Sequence, residues 1–218
     1  MTALALATGV FLLTHFIPST PLRPALIRAI GERPYQGLYS LVALAAITSM
    51  CIAYVRAPVE PLFAPLRLLP VVLTPLAFIL LACGLWRNPT IVGADKLLES
   101  EDPARGMIRI TRHPIMWAFM LWAFAHLVAR GDLKSVIFFG AFFVLAALGT
   151  LLMDSRKKAN PDWGRFAAAT SNIPFVAIAQ GRNRIIWREI GWLRPAIGLI
   201  AFVIFFLLHR WLFGAQPY

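Results

Sequence analysis

The sequence predicts an all-α fold, a polytopic integral membrane helical bundle of about six transmembrane helices with both termini outside. Three observations carry this. The chain is 59% hydrophobic and only 14% charged, against roughly 25% charged in a soluble domain, and its mean hydropathy is +0.71. Its apolar residues gather into six runs of about membrane length. Its basic residues gather between alternate runs.

The runs are Met1–Ile17, Tyr35–Val55, Leu68–Trp86, Pro114–Ala129, Ser135–Met153 and Pro195–Phe213. Crossing a bilayer takes about 17–25 residues. The first run has no Lys or Arg before it, so it is expected to be a membrane helix with its N-terminus outside and not a cleaved signal. Pro75 and Pro195 are compatible with membrane helices. The fourth run is slightly short and is expected to begin earlier, near Met107, because Gly106 to Ile110 continues a helical period. The fifth loop carries Ile185–Leu193, whose mixed aromatic and basic pattern predicts a short interfacial helix. With no repeat and no low-complexity segment, a single domain over residues 1–218 is expected.

Sixteen of the 21 basic residues lie in the first, third and fifth loops. The positive-inside rule places those loops in the cytoplasm. The net charge of +11 therefore reflects topology and anionic lipid headgroups, not nucleic acid. The two cysteines, Cys51 and Cys83, fall inside apolar runs without a CxxC spacing, so they read as small buried hydrophobes.

Four histidines carry the candidate chemistry. His15 lies near the cytoplasmic end of the first run. His113 stands in Thr111-Arg112-His113-Pro114, where a basic loop becomes an apolar helix. His126 follows 13 residues later, about 20 Å along a helix. His209 is near the outer end of the last run, beside Arg210, where it can snorkel. Topology pairs His15 with His113 and His126 with His209. Imidazoles on different membrane helices suit axial ligation of haem iron, binding of another metal, or proton relay. No HExxH or Cys/His cluster is present. Pro114 suits a first helical turn, and Arg112 and His113 beside it could hold an anion such as a phosphate, a carboxylate or haem propionates. Asn88-Pro89-Thr90 reads as a helix stop and turn on the same rim.

His15, Gly31-Glu32-Arg33-Pro34-Tyr35, Tyr39-Ser40, Asn88-Pro89-Thr90, Gly93, Gly106, Thr111-Arg112-His113-Pro114, Leu121-Trp122, His126-Leu127 and Gly131-Asp132-Leu133 follow one another in the order of the NnrU family. Asp154 and the segment from Trp163 to Gly181-Arg182 resemble it too. That family includes bacterial proteins associated with denitrification and nitric-oxide metabolism. It also includes the 15-cis-zeta-carotene isomerase of plants and cyanobacteria, which uses haem b to turn a 15-cis double bond trans.

The resemblance implies haem b as cofactor and His15 and His126 as its iron ligands. It implies a catalytic set of His15, His126 and His113, with Arg112 and His113 as a clamp for propionate or substrate. The implied activity is cis-trans isomerisation of a polyene arriving sideways from the lipid among Trp117, Phe119, Trp122 and Phe124, or else handling of a diatomic gas without turnover. The expected location is the bacterial inner membrane, as a multi-pass protein among lipids, with a redox partner the sequence does not name. The plant enzyme carries a cysteine one turn before the second histidine; here that position is Ala123. Axial nitrogens must lie about 4 Å apart across one iron, yet topology sets His15 toward the cytoplasm and His126 toward the outside. A different group with an Arg-His-Pro start to a late helix, the membrane methyltransferases that use S-adenosylmethionine, expects an acidic residue near the C-terminus. Glu189 is the candidate for it.

Overall fold

The computed structural model describes residues 1–217. Among the described residues ten α-helices form: α1 (Thr2–Phe16), α2 (Leu22–Ile30), α3 (Glu32–Arg56), α4 (Leu69–Gly84), α5 (Pro114–Arg130), α6 (Leu133–Lys157), α7 (Trp163–Ala169), α8 (Val176–Ala179), α9 (Trp187–Ile190) and α10 (Leu193–Phe213). Four helical segments are long and apolar enough to cross a membrane, Thr2–Ser19, Glu32–Arg56, Leu133–Lys157 and Leu193–Phe213. Of the six expected spans, the third and fourth fall short of that measure. Helices α4 and α5 have 16 and 17 residues, about 24 and 26 Å, against a hydrocarbon core of about 30 Å.

The ends of the helices follow from local chemistry. Pro114 opens α5, and Gly131 closes it at φ +64°, the left-handed geometry that glycine adopts without strain. Asp132 then caps α6 by accepting from the Ser135 amide at 2.9 Å, which satisfies one of the free N–H groups of the first turn. Pro75 sits inside α4 without breaking it.

Contacts run in a row from α10 through α4, α5 and α6 to α1, with α3 packed on α1 and α6. The main apolar core lies where α1, α3, α5 and α6 meet, around Leu4, Phe11, Ala46, Met50, Ala123, Phe138 and Phe139. A smaller core of Leu98, Ala104, Ile108, Trp163 and Phe166 lies under the third and fifth loops. On the opposite side, Leu62 donates to the Gly131 carbonyl and Leu133 to the Glu60 carbonyl, each at 2.8 Å. That clasp ties the loop after α3 to the α5–α6 turn.

The fourth span does not start near Met107. Gly106–Arg109 forms one 3₁₀ turn, and the chain then leaves the helical path until Pro114. Two forces break it. Proline disfavours helical geometry at the preceding residue, and His113 sits at φ −121°, ψ 56°. The backbone also finds partners elsewhere: Arg112 donates to the Ser171 carbonyl at 2.9 Å, and the Ile110 carbonyl accepts from Phe175 at 2.8 Å. The interfacial helix expected over Ile185–Leu193 is reduced to the single turn of α9.

Helix α10 approaches α4 through Gly198, where an added Cβ would stand 2.6 Å from the Phe78 carbonyl oxygen and 2.8 Å from the Ile79 Cα. Small residues at such crossings let membrane helices pack backbone to backbone. Gly198→Ala is expected to lower stability by about 1–3 kcal/mol through overpacking, read as a fall in melting temperature in detergent. Gly9→Ala, where a Cβ meets nothing within 4 Å inside α1, should hold it or raise it slightly, since alanine favours the helix.

Candidate functional site

Two polar assemblies lie among the basic third and fifth loops and the helix ends beside them. In the first, His113 is fully buried and its Nε2 lies 2.6 Å from Asp154 Oδ1. Arg112 Nη1 stands 3.5 Å from the other oxygen of the same carboxylate. The anion expected beside Arg112 and His113 is thus supplied by the chain itself, from the C-terminal end of α6. Burial pushes the Arg112 guanidinium down from its ordinary value while Asp154 holds it up. Thr111 Oγ1 and the Trp117 indole both donate to the Asn172 carbonyl, at 2.6 and 2.8 Å. The Asn172 side chain donates to Thr150 at 2.8 Å, one turn before Asp154. Asn88 braces this loop from the end of α4: it donates to the Gly84 carbonyl at 2.9 Å and accepts from the Thr90 hydroxyl at 2.7 Å. The stop and turn expected there do face the same rim.

The second assembly centres on Arg109. Its guanidinium forks onto Glu189, with Nε to Oε2 at 2.7 Å and Nη2 to Oε1 at 2.9 Å. It also reaches Asn183 at 2.8 Å and bonds Asp102. Glu189 accepts in addition from the Gly106 amide at 2.9 Å. The bidentate grip of Arg109 holds the Glu189 carboxyl below the ordinary carboxylate range against the opposing effect of burial. The same bonds raise the Arg109 guanidinium. Sequence reading did not foresee this clamp. The available signal was Glu189 standing alone among Arg182, Arg184, Arg188 and Arg194.

The remaining three histidines lie on the apolar helices α1, α5 and α10 and share one device. His15 Nδ1 meets the Phe11 carbonyl at 2.7 Å, His126 Nδ1 the Trp122 carbonyl at 2.8 Å, and His209 Nδ1 the Ala215 carbonyl at 2.8 Å. A carbonyl only accepts, so Nδ1 is the donor in each case and Nε2 is left for another partner.

A family model described as NnrU protein matches residues 3–217. The chain belongs to the NnrU family. No curated protein and no solved structure matches it.

Within this NnrU protein the histidines fall into a definite pattern. His126 faces His209, ring centroids 6.5 Å apart and planes 23° from parallel. His15 is not brought to His126. Between them stand Phe11, Phe142 and Trp122 in successive ring contacts of 5.2 and 5.4 Å. His15 lies one turn from Phe11 and His126 one turn from Trp122, each about 6 Å along its helix, toward opposite faces. His113 is held apart from all three by Asp154. His209 does not simply snorkel; its ring turns back to the last carbonyls and to His126. Ala123 is completely buried in the main core, one turn before His126.

Glu189 and Arg109 are 13% and 10% exposed, so Glu189→Gln is expected to cost about 2–3 kcal/mol. Because the folded carboxyl lies below its unfolded value, its stabilisation is complete above about pH 4.3 and is lost as pH falls through the folded value. Thermal unfolding followed between pH 3 and 7, values chosen as roughly bracketing that range, should show the acid loss in the parent and a flatter profile in the Gln variant.

Proposed function

We propose that this NnrU protein is a haem b-binding membrane protein whose iron is held by His126 and His209. The observation that carries the reading is their juxtaposition from two different helices, each with Nδ1 tied to a backbone carbonyl. Metal-bound imidazoles use this arrangement to fix the tautomer and the ring direction. The donor set fits the group. Neutral imidazoles in apolar surroundings are axial haem ligands, and Trp122, Phe139 and Phe213 line them at 5.0–5.3 Å. A porphyrin brings its own equatorial nitrogens, so two protein ligands suffice. Among the described residues no group of three or more His, Cys, Asp or Glu is placed to hold a bare metal ion.

Haem b, when bound, would supply a redox-active iron held by His126 and His209, and release of one of these imidazoles would open it to a double bond or a small gas. The chain itself holds the imidazoles, excludes water and offers apolar walls. The activity proposed is redox-gated cis-trans isomerisation of a lipid-borne, zeta-carotene-like polyene. The second reading is a haem protein for nitric oxide, tied to denitrification and without isomerase turnover. The buried Ala123 favours it, because the residue one turn before His126 offers no exchangeable ligand. A methyltransferase role is disfavoured, since both carboxylate oxygens of Glu189 are engaged by Arg109. The bacterial inner membrane is the proposed location.

Purified protein should show a Soret band that moves on dithionite reduction. His126→Ala and His209→Ala should each abolish or shift it, while His15→Ala and His113→Ala keep it. Colourless protein after expression with ample haem would sink the haem reading. Loss of the band in His15→Ala but not in His209→Ala would move the second ligand to His15. Cells that accumulate the tri-cis carotene test the chemistry: conversion supports the isomerase, and intact haem without conversion supports the nitric-oxide role.

A further inference from the structure

On the basic face a cavity of about 240 Å³ opens between the end of α4, the 3₁₀ turn at Gly106 and the α9–α10 junction. Its wall includes Trp86, Arg87, Arg105, Arg188, Glu189 and Arg194. Four guanidinium groups face one carboxylate, and Arg109 and the Gly106 amide already hold that carboxylate. Arg105 reaches it only at 3.8 Å. Among the described residues Arg87 and Arg188 have no ion-pair partner. The cavity therefore carries an uncompensated positive charge.

Arg87 adds an independent sign. It sits at φ +46°, just beyond α4, where a helix end favours glycine and any other side chain is strained. Such strain points to a task for the side chain. Arg194, for its part, lies over the Trp86 ring at 4.8 Å and donates to the Glu189 carbonyl at 3.1 Å. Both contacts hold it at the cavity wall.

The depth of the cavity is marked by tryptophans. Trp187 and Trp192 are 74% and 92% exposed, on either side of the cavity's α9 wall, and Trp86 is exposed at its mouth. Tryptophan concentrates at the headgroup level of a bilayer. At that depth the abundant anion is lipid phosphate, and basic pockets between membrane helices on the cytoplasmic side take anionic headgroups. We infer that this cavity is a binding site for the phosphoryl headgroup of an anionic phospholipid, with Arg87 and Arg188 as its principal ligands. Planar guanidinium groups suit a phosphate through paired N–H donors.

The test uses the full chain in zwitterionic detergent micelles, titrated separately with phosphatidylglycerol, phosphatidylcholine and inorganic phosphate. Bound lipid is counted by native mass spectrometry alongside the melting temperature. Saturable retention of phosphatidylglycerol, weakened roughly tenfold in Arg87→Gly and in Arg188→Gln, supports the site. Arg87→Gly suits the backbone at that position, so its unliganded melting temperature should hold or rise, which separates lost binding from lost folding. Equal retention of phosphatidylcholine, or undiminished retention in both variants, overturns it. Saturation by millimolar phosphate with no preference for the lipid overturns the lipid assignment in favour of a soluble phosphoryl ligand.

Discussion

The grip of Arg109 on Glu189 organises the basic face of the molecule. Glu189 belongs to the segment that leads into α10, and Arg109 belongs to the loop that leads into α5. Joining them fixes two helix starts relative to each other, and Asp102 and Asn183 draw two further loop segments to the same guanidinium. A charge pair removed from water needs every remaining donor and acceptor satisfied, and here the Gly106 amide completes the set. The arginine-lined cavity exists because this pairing consumes the local carboxylate and leaves its neighbours unneutralised.

A second carboxylate has the same role at the neighbouring helix start. Asp154 from α6 secures the beginning of α5 through His113 and Arg112. The loops before α5 and α10 are thus pinned mainly through Asp154 and Glu189. That is economical in a chain with ten acidic residues, while the backbone of the Thr111–His113 break finds its own partners in the Ser171 carbonyl and the Thr111 hydroxyl.

Much of this was legible in the sequence. The apolar runs matched α1, α3, α6 and α10, and the Asn88-Pro89-Thr90 stop lay where the chemistry of proline and asparagine put it, but the fourth helix begins at Pro114 and not near Met107. What was not legible depended on distant partners. The helical period through Met107–Ile110 was real, but the backbone there bonds to residues 171 and 175, about sixty positions away, which no local pattern announces. Glu189 was noticed as a lone acid but not as the partner of Arg109. The pairing of His126 with His209 followed from simple topology. The aromatic rungs of Phe11, Phe142 and Trp122 that divide His15 from His126 required side-chain packing to be seen.

Away from the core where α1, α3, α5 and α6 meet, the helices are sparsely covered. Only 6% of the apolar stretch of α10 and 11% of that of α3 are buried. Both helices present most of their apolar surface outward, where acyl chains would cover it in a bilayer. Were the proposed polyene its substrate, it would reach such surfaces by lateral diffusion in the bilayer, without a portal that must open. Its encounter rate would then be governed by partitioning into the lipid, and the composition of the membrane would become a kinetic variable.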